Sequence, residues 1–331
     1  MAERASIAQV VQLGVETTPG TSTAANKLLQ SISIEPSIQA NISLFRPMGT
    51  KYPTVQALGQ EWSQASIKGQ PTYTELIYLL SSILKSVTPT QIIPTTGQAY
   101  SWLFDPSSTS EDTVKTFTVE QGSAVRAHKF SYGIVPELGM TFSRKDIALT
   151  GTMLGQNLTD GITLTATPTA IPLVPILPKQ LDVYIDPSSA GLGTTKANRV
   201  LSGSWTLSGR FGPLWTVNSA NNSFAAHVET EPKLELKLLL EADAEGMGYL
   251  AAARQGDTRF IRLAAAGAQI EAGPPASTYL FQLDLAGKVS GVGPFADSDG
   301  VYAIEWTFQA VHDATWGRAL QVKVVNTQTS L

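Results

Sequence analysis

No cysteine occurs in the 331 residues, which excludes a disulfide framework, thiolate metal sites and a cysteine nucleophile. Charge is scarce as well. Asp, Glu, Lys and Arg make up 15% of the chain, and 23 basic against 27 acidic residues leave a net charge of −4. That balance argues against a nucleic-acid binder working through a basic face. Long hydrophobic runs are missing too. The longest, over residues 171–177, is interrupted by Pro172 and Pro175, so no segment reads as a membrane span. The first eleven residues carry Glu3 and Arg4 and no apolar stretch, and are not expected to form a signal peptide. The expectation is a soluble, cytoplasm-compatible protein of two units of about 150 residues each.

What the sequence does contain is strand pattern. Over 31–45 the apolar residues fall on even positions (Ile32, Ile34, Pro36, Ile38, Ala40, Ile42, Leu44), with Ser33, Glu35, Ser37 and Gln39 among the odd ones. Period two over that length predicts a long strand with one dry and one wet face. Residues 55–69 form a weaker partner with Gln64 and Lys68 on the wet side. The alternation returns over 201–217, with Trp205, Leu207 and Phe211 opposite Ser204, Thr206 and Arg210. It returns again over 228–240, with Glu229, Glu231, Lys233, Glu235 and Lys237 on the wet side. Strands of a dozen residues exceed the usual five or six and suit a wide wall.

Two helices are predicted among the strands. Thr72-Tyr73-Thr74-Glu75 reads as a capping box before a 3.6-period face that includes Leu76, Leu80 and Leu84. The second spans about 242–254 and stops at Gly256. Further strands are expected over 99–104, 117–120, 129–135, 137–143 and 147–154, then over 258–264, 278–285, 301–311 and 320–325. Segments 105–112 and 286–300, rich in Gly, Ser and Asp, read as mobile loops, as does the N-terminal arm up to Lys27.

The two halves read as copies. Thr23-Ala24-Ala25-Asn26-Lys27-Leu28-Leu29 recurs as Thr195-Lys196-Ala197-Asn198-Arg199-Val200-Leu201, each directly before a long alternating strand, and the same order of elements follows. The expected organisation is a first domain over 1–158, a Pro/Thr-rich linker over 159–179 and a second domain over 180–331. The expected fold is mainly β, as two tandem β-sandwich or barrel-like domains, each with a long hairpin and one flanking α-helix.

Catalytic chemistry is hard to find. His128, His227 and His312 lie on separate predicted strands with no ligand-spaced partner, and there is no Gly-x-Ser-x-Gly elbow. Gly191-Leu192-Gly193 lacks the third glycine of a dinucleotide loop. Glu229, Glu231 and Glu235 alternate with Lys233 and Lys237 as on a solvated sheet face, rather than pairing as glycosidase acids. No enzyme, catalytic residue, metal site or cofactor is expected.

Leu13-Gly14-Val15-Glu16-Thr17-Thr18-Pro19-Gly20-Thr21, a spacer and a long strand resemble the opening of the tail tube (major tail) proteins of long-tailed, non-contractile bacteriophages. Val301-Tyr302-Ala303-Ile304-Glu305-Trp306-Thr307-Phe308-Gln309-Ala310, after an Asp-rich loop, is similar to a late strand of that family. The resemblance implies a structural virion protein whose rings stack into the conduit for DNA ejection. For a duplicated chain it implies three subunits per ring, supplying six domains. It also implies partners: other copies of the chain, a tape-measure protein, a tail tip and a tail terminator. DNA would pass through the lumen without specific binding. The location implied is the virion tail, after assembly in the host cytoplasm. On this reading Ser33, Glu35, Gln39, Gln64, Lys68, Arg210, Glu229, Glu231, Lys233, Glu235 and Lys237 face the lumen, four acids against four bases. The competing expectation is a two-domain β-sandwich adhesin or carbohydrate-binding virion protein.

Overall fold

The computed structural model describes residues 6–218 and 221–331, so the first five residues of the expected N-terminal arm lie outside it. The chain is mainly β, as its period-two patterning requires. Its largest feature is a sheet in which eight antiparallel strands follow one another without a break. In spatial order they are Ile32–Phe45, Val55–Gly69, Ile147–Gly155, Ala127–Ser143, Val200–Ser208, Lys233–Glu241, Val301–Ala310 and Ser277–Val292. The first four belong to the N-terminal half and the last four to the C-terminal half. Ala127–Ser143 and Val200–Ser208 join them through six paired residues, from Leu138↔Leu207 to Ser143↔Ser202.

A second layer lies behind this sheet. Ala127–Ser143 and Ser277–Val292 each belong to both layers, because each changes partners midway. Residues 127–133 pair with Phe117–Gly122, which in turn pairs with Val10–Val15. Residues 280–287 pair with Arg259–Glu271, which pairs with Leu181–Asp186. The pairing scheme of the first half thus recurs, strand for strand, in the second. The strands expected over 129–135 and 137–143 are one continuous strand, with an irregularity in the ladder between Ile134 and Glu137.

The core fills the space between the layers. Helix Leu76–Ile83 lies inside it with all eight residues buried. Thr72 caps the helix by accepting the Glu75 N–H at 3.0 Å. The Glu75 carboxylate accepts the Gln30 and Ser31 N–H groups, tying the helix to the start of the first long strand. The second helix differs from expectation. It is split into Ala244–Met247 and Tyr249–Gln255, with Gly248 between them and Asp243 capping the Gly246 N–H.

The halves are also stitched together behind the sheet. Tyr100–Phe104 pairs with Leu320–Asn326, and the Trp102 Nε1–H donates to Asn326 Oδ1 at 3.1 Å. Asn326, fully buried, donates in turn to the Tyr73 carbonyl at 2.8 Å. Asn326→Ala would strand both groups in the core, so it is expected to lower stability by about 3 kcal/mol in urea unfolding. The stretch 159–179 is held along its length rather than spanning freely. Thr159–Ile162 pairs with 127–129, Thr169–Ala170 runs parallel to Lys27–Leu29, and Ile171 and Ile176 are buried.

Three expectations are corrected. The strands over 201–217 and 228–240 are each broken, at Gly209 and around Pro232. Their inner ends form a separate two-stranded hairpin, Phe211–Leu214 with Ala226–Glu229. Gly209 adopts φ +65°, which favours glycine and turns the chain out of the sheet. Most of segment 286–300 is not a loop: it carries the end of Ser277–Val292 and a short strand, Ala296–Ser298. The dry face of the first long strand is dry only at its start. Ile32 and Ile34 are buried, whereas Ile38 is exposed at the sheet edge and Ile42 and Leu44 are exposed on an arm that runs beyond the sheet.

Candidate functional site

The outer face of the eight-stranded sheet is polar across its whole width. One ladder row runs Ser33, Lys68, Thr150, Gly139, Thr206, Glu235, Gln309, Lys288, crossing every strand. A shorter row runs Glu35, Ser66, Thr152, Glu137, and another runs Ala148, Thr141, Ser204, Lys237, Thr307, Gly291. Side chains on paired residues share a face, so these rows form one surface, and the alternate row of Ile32, Leu149, Met140, Trp205, Leu236 and Phe308 is buried behind it.

Hydroxyl groups dominate this surface and its charges cancel. Glu35, Glu137, Glu235 and Glu305 stand against Lys68, Lys233, Lys237 and Lys288, and Glu241, at the end of the same strand as Glu235, is paired with Arg199. Several are paired directly. Glu35 lies 3.7 Å from Lys68, and Glu235 lies 2.9 Å from Lys233 and 3.4 Å from Lys237. The hydrogen bond from Lys233 holds the Glu235 carboxyl below the usual carboxylate range. These pairs are solvated, so they neutralise the surface more than they stabilise the fold.

Of the residues expected on this face, Ser33, Glu35, Gln64, Lys68, Lys233, Glu235 and Lys237 lie on it. Gln39 sits on the projecting arm opposite Trp62. Glu231 lies outside the strands, between the small hairpin and Lys233–Glu241. Arg210 and Glu229 are displaced entirely, because the breaks at Gly209 and around Pro232 carry them behind the sheet. Glu137, Glu305 and Lys288 were not among the expected members of the face: Glu137 lies on a strand read as short, Lys288 in a segment read as loop, and Glu305 on the strand expected over 301–311.

Arg210 instead forms a buried hub. Its Nε–H donates to the Ile83 carbonyl at 3.1 Å and its Nη2 to the Leu84 carbonyl at 3.3 Å, at the C-terminus of the core helix. Nη2 also reaches Asp112 at 2.9 Å, and Nη1 pairs with Glu229. The Asp112 side chain is 1% exposed and is further paired with Lys85 at 3.4 Å. It accepts the Ser107 N–H, so the segment over 105–112, expected to lack packing, is anchored at its far end. A surface groove runs beside the hub, lined in part by Leu84, Glu231 and His312.

The small hairpin covers an aromatic cluster of Tyr132, Phe211, Phe224 and Trp215. Tyr132 Oη lies 3.0 Å from His227 Nδ1, and burial pushes the His227 imidazole below its ordinary pKa of 6.5. The folded chain therefore holds His227 neutral, while the unfolded chain takes up a proton as pH falls through about 6.5. Its contribution is complete above that pH and is lost below it. His227→Gln is expected to show a smaller drop in urea midpoint between about pH 7.5 and about pH 5.5 than the parent chain.

Among the described residues no group of three or more His, Asp or Glu side chains is placed to hold a metal, and no helix is long and apolar enough to cross a membrane. No known protein family matches the chain, and no curated protein shows significant similarity to it.

Proposed function

We propose that the chain is a structural subunit that assembles with its own copies into stacked rings, forming the tail tube of a long-tailed, non-contractile bacteriophage. One observation carries this reading: a polar, charge-cancelled face that continues without interruption across eight strands and both halves. A wall that lets DNA slide must be hydrated and must offer few unpaired cations to phosphate. Ser, Thr and Gln among matched Glu and Lys supply both properties.

The register of the sheet supports closure into a barrel. Gly69 and Leu240 hold equivalent places, each three residues before the helix-capping Thr72 and Asp243. Yet the ladder row that contains Gly69 reaches Leu236 after four strands, through Leu149, Met140 and Trp205. Each four-strand unit therefore shifts the register by four residues. Equal shear and strand number correspond to a strand tilt of about 36° in closed barrels. Three chains would supply about 24 strands, which at ~4.8 Å spacing close on a backbone diameter of roughly 45 Å, wide enough for a duplex. The arm beyond the sheet, with Leu44, Phe45 and Tyr52 exposed, is the surface that stacking would cover.

Negative-stain microscopy of the concentrated, purified chain tests the reading. Rings of three subunits with pseudo-sixfold symmetry, or tubes built from them, are expected. Six full-length chains per ring would overturn the stoichiometry, and a monodisperse monomer at all concentrations would favour the adhesin reading.

A further inference from the structure

The sheet ends in two open edges, and the seam between the halves shows what fits them. At that seam Leu138 faces Leu207, Gly139 faces Thr206, and Met140 faces Trp205. Leu138, Leu207, Met140 and Trp205 are all buried, with exposures of 0%, 3%, 2% and 4%. Each seam residue has a counterpart on an outer edge. The helix caps align Leu234 with Ser63, and the strand pairs Leu207↔Leu234 and Ile38↔Ser63 then align Leu207 with Ile38. The hairpin turns Ser143–Asp146 and Ser298–Val301 align Gly151 with Trp306, and the pairs Leu138↔Gly151 and Val292↔Trp306 align Leu138 with Val292.

At the outer edges these counterparts are bare. Ile38 is 57% exposed and Val292 45% exposed, although each continues the apolar side of its strand. Ile32–Phe45 pairs on one side only, with Val55–Gly69. Residues 291–292 of the last strand pair only with Val301–Ala310. Two apolar residues that are buried in the inner copy and exposed in the outer one mark an interface left incomplete in the single chain.

We infer that a second copy of this chain completes it. The edge around Val292 of one copy pairs antiparallel with the first long strand of the next, in the register of the inner seam, so that Val292 faces Ile38 and Gly293 faces Ser37. Prolines sit at the same place on both edges, Pro36 on one and Pro294 on the other, each removing a ladder donor. Prolines at exposed edges discourage unregistered strand pairing, so the apolar contact sets the partner and the register. The inference rests on the self-assembly part of the proposed function, but not on the bore or on DNA.

The absence of cysteine makes the test clean. A chain carrying Ile38→Cys and Val292→Cys is assembled, mildly oxidised and run on a non-reducing gel. The two positions sit at opposite ends of the eight-stranded sheet, roughly 30 Å or more apart within one chain, so any bond between them is intermolecular. Most of the protein is expected as covalent multimers. The single variants and the out-of-register pair Ile42→Cys with Val292→Cys are expected to remain at monomer or background dimer. All three positions are solvent-exposed, and matching thermal melts confirm that the variants fold. Equal cross-linking by the out-of-register pair overturns the inference, as does its absence in every sample. Microscopy of the same samples separates the two readings. Tubes without cross-links keep the tail-tube reading and discard this seam. Cross-linked open or sheet-like polymers keep the seam and discard the tube.

Discussion

Arg210→Met is expected to destabilise the chain by about 3–5 kcal/mol, the largest loss from any single polar substitution proposed for it. Arg210 is 5% exposed and its guanidinium meets four acceptors: two helix-end carbonyls and the carboxylates of Asp112 and Glu229. Methionine fills much of the same volume but donates nothing. Asp112 would keep only Lys85 and the Ser107 N–H, while the Ile83 and Leu84 carbonyls would lose their partner at the negative end of the helix dipole. Arg210→Lys keeps the charge but not the fork that reaches all four acceptors, so an intermediate loss is expected. Urea unfolding of the three chains checks the ranking. A loss below about 1 kcal/mol for Arg210→Met would mean that the hub is solvated, as surface pairs are.

That hub also shows where sequence reading stops. Period-two alternation located the first long hairpin and the wet positions Glu35, Lys68, Glu235 and Lys237, because strand faces are a local property. It placed Arg210 on the same face because 201–217 alternates through Gly209. Whether a chain turns out of a sheet at one glycine depends on what waits to receive it. Here the receivers are Asp112, 98 residues away, and the end of the core helix. Composition misled at 286–300 for a related reason. Gly287 and Gly291 read as loop signals, but both sit in strand, and a Cβ on Gly287 would lie 2.9 Å from Leu285 Cδ1 and 3.3 Å from Phe308 Cβ. The Thr23–Leu29 and Thr195–Leu201 strings suggested a repeat. The unbroken ladder between the halves was not legible, since strand register across 60 residues leaves no local trace.

The paired charges on the polar face differ in membership from the set expected to line a lumen, and that difference decides which residues to change. Glu35→Gln, Glu137→Gln, Glu235→Gln and Glu305→Gln together would leave Lys68, Lys233, Lys237 and Lys288 unopposed on the polar face. Glu35, Glu137 and Glu305 are exposed and Glu235 contacts only surface lysines, so assembly is expected to survive. In tubes, three such chains per ring would line the bore with cations. A duplex held by six to ten of them binds in a way that weakens about 10³–10⁵-fold between 50 and 200 mM salt. Tubes of the parent chain are expected to release duplex DNA at low and high salt alike. Those of the quadruple variant are expected to retain it at low salt and release it as salt rises. Fluorescently labelled DNA co-sedimented with tubes reads both. Salt-independent release from the variant would show that the polar face does not line the path of the DNA, because lysines buried in a subunit contact could not be reached there. Retention by variant and parent alike would point to a cationic surface elsewhere on the tube, and the charge-cancelled face would then lose its claim to be the conduit.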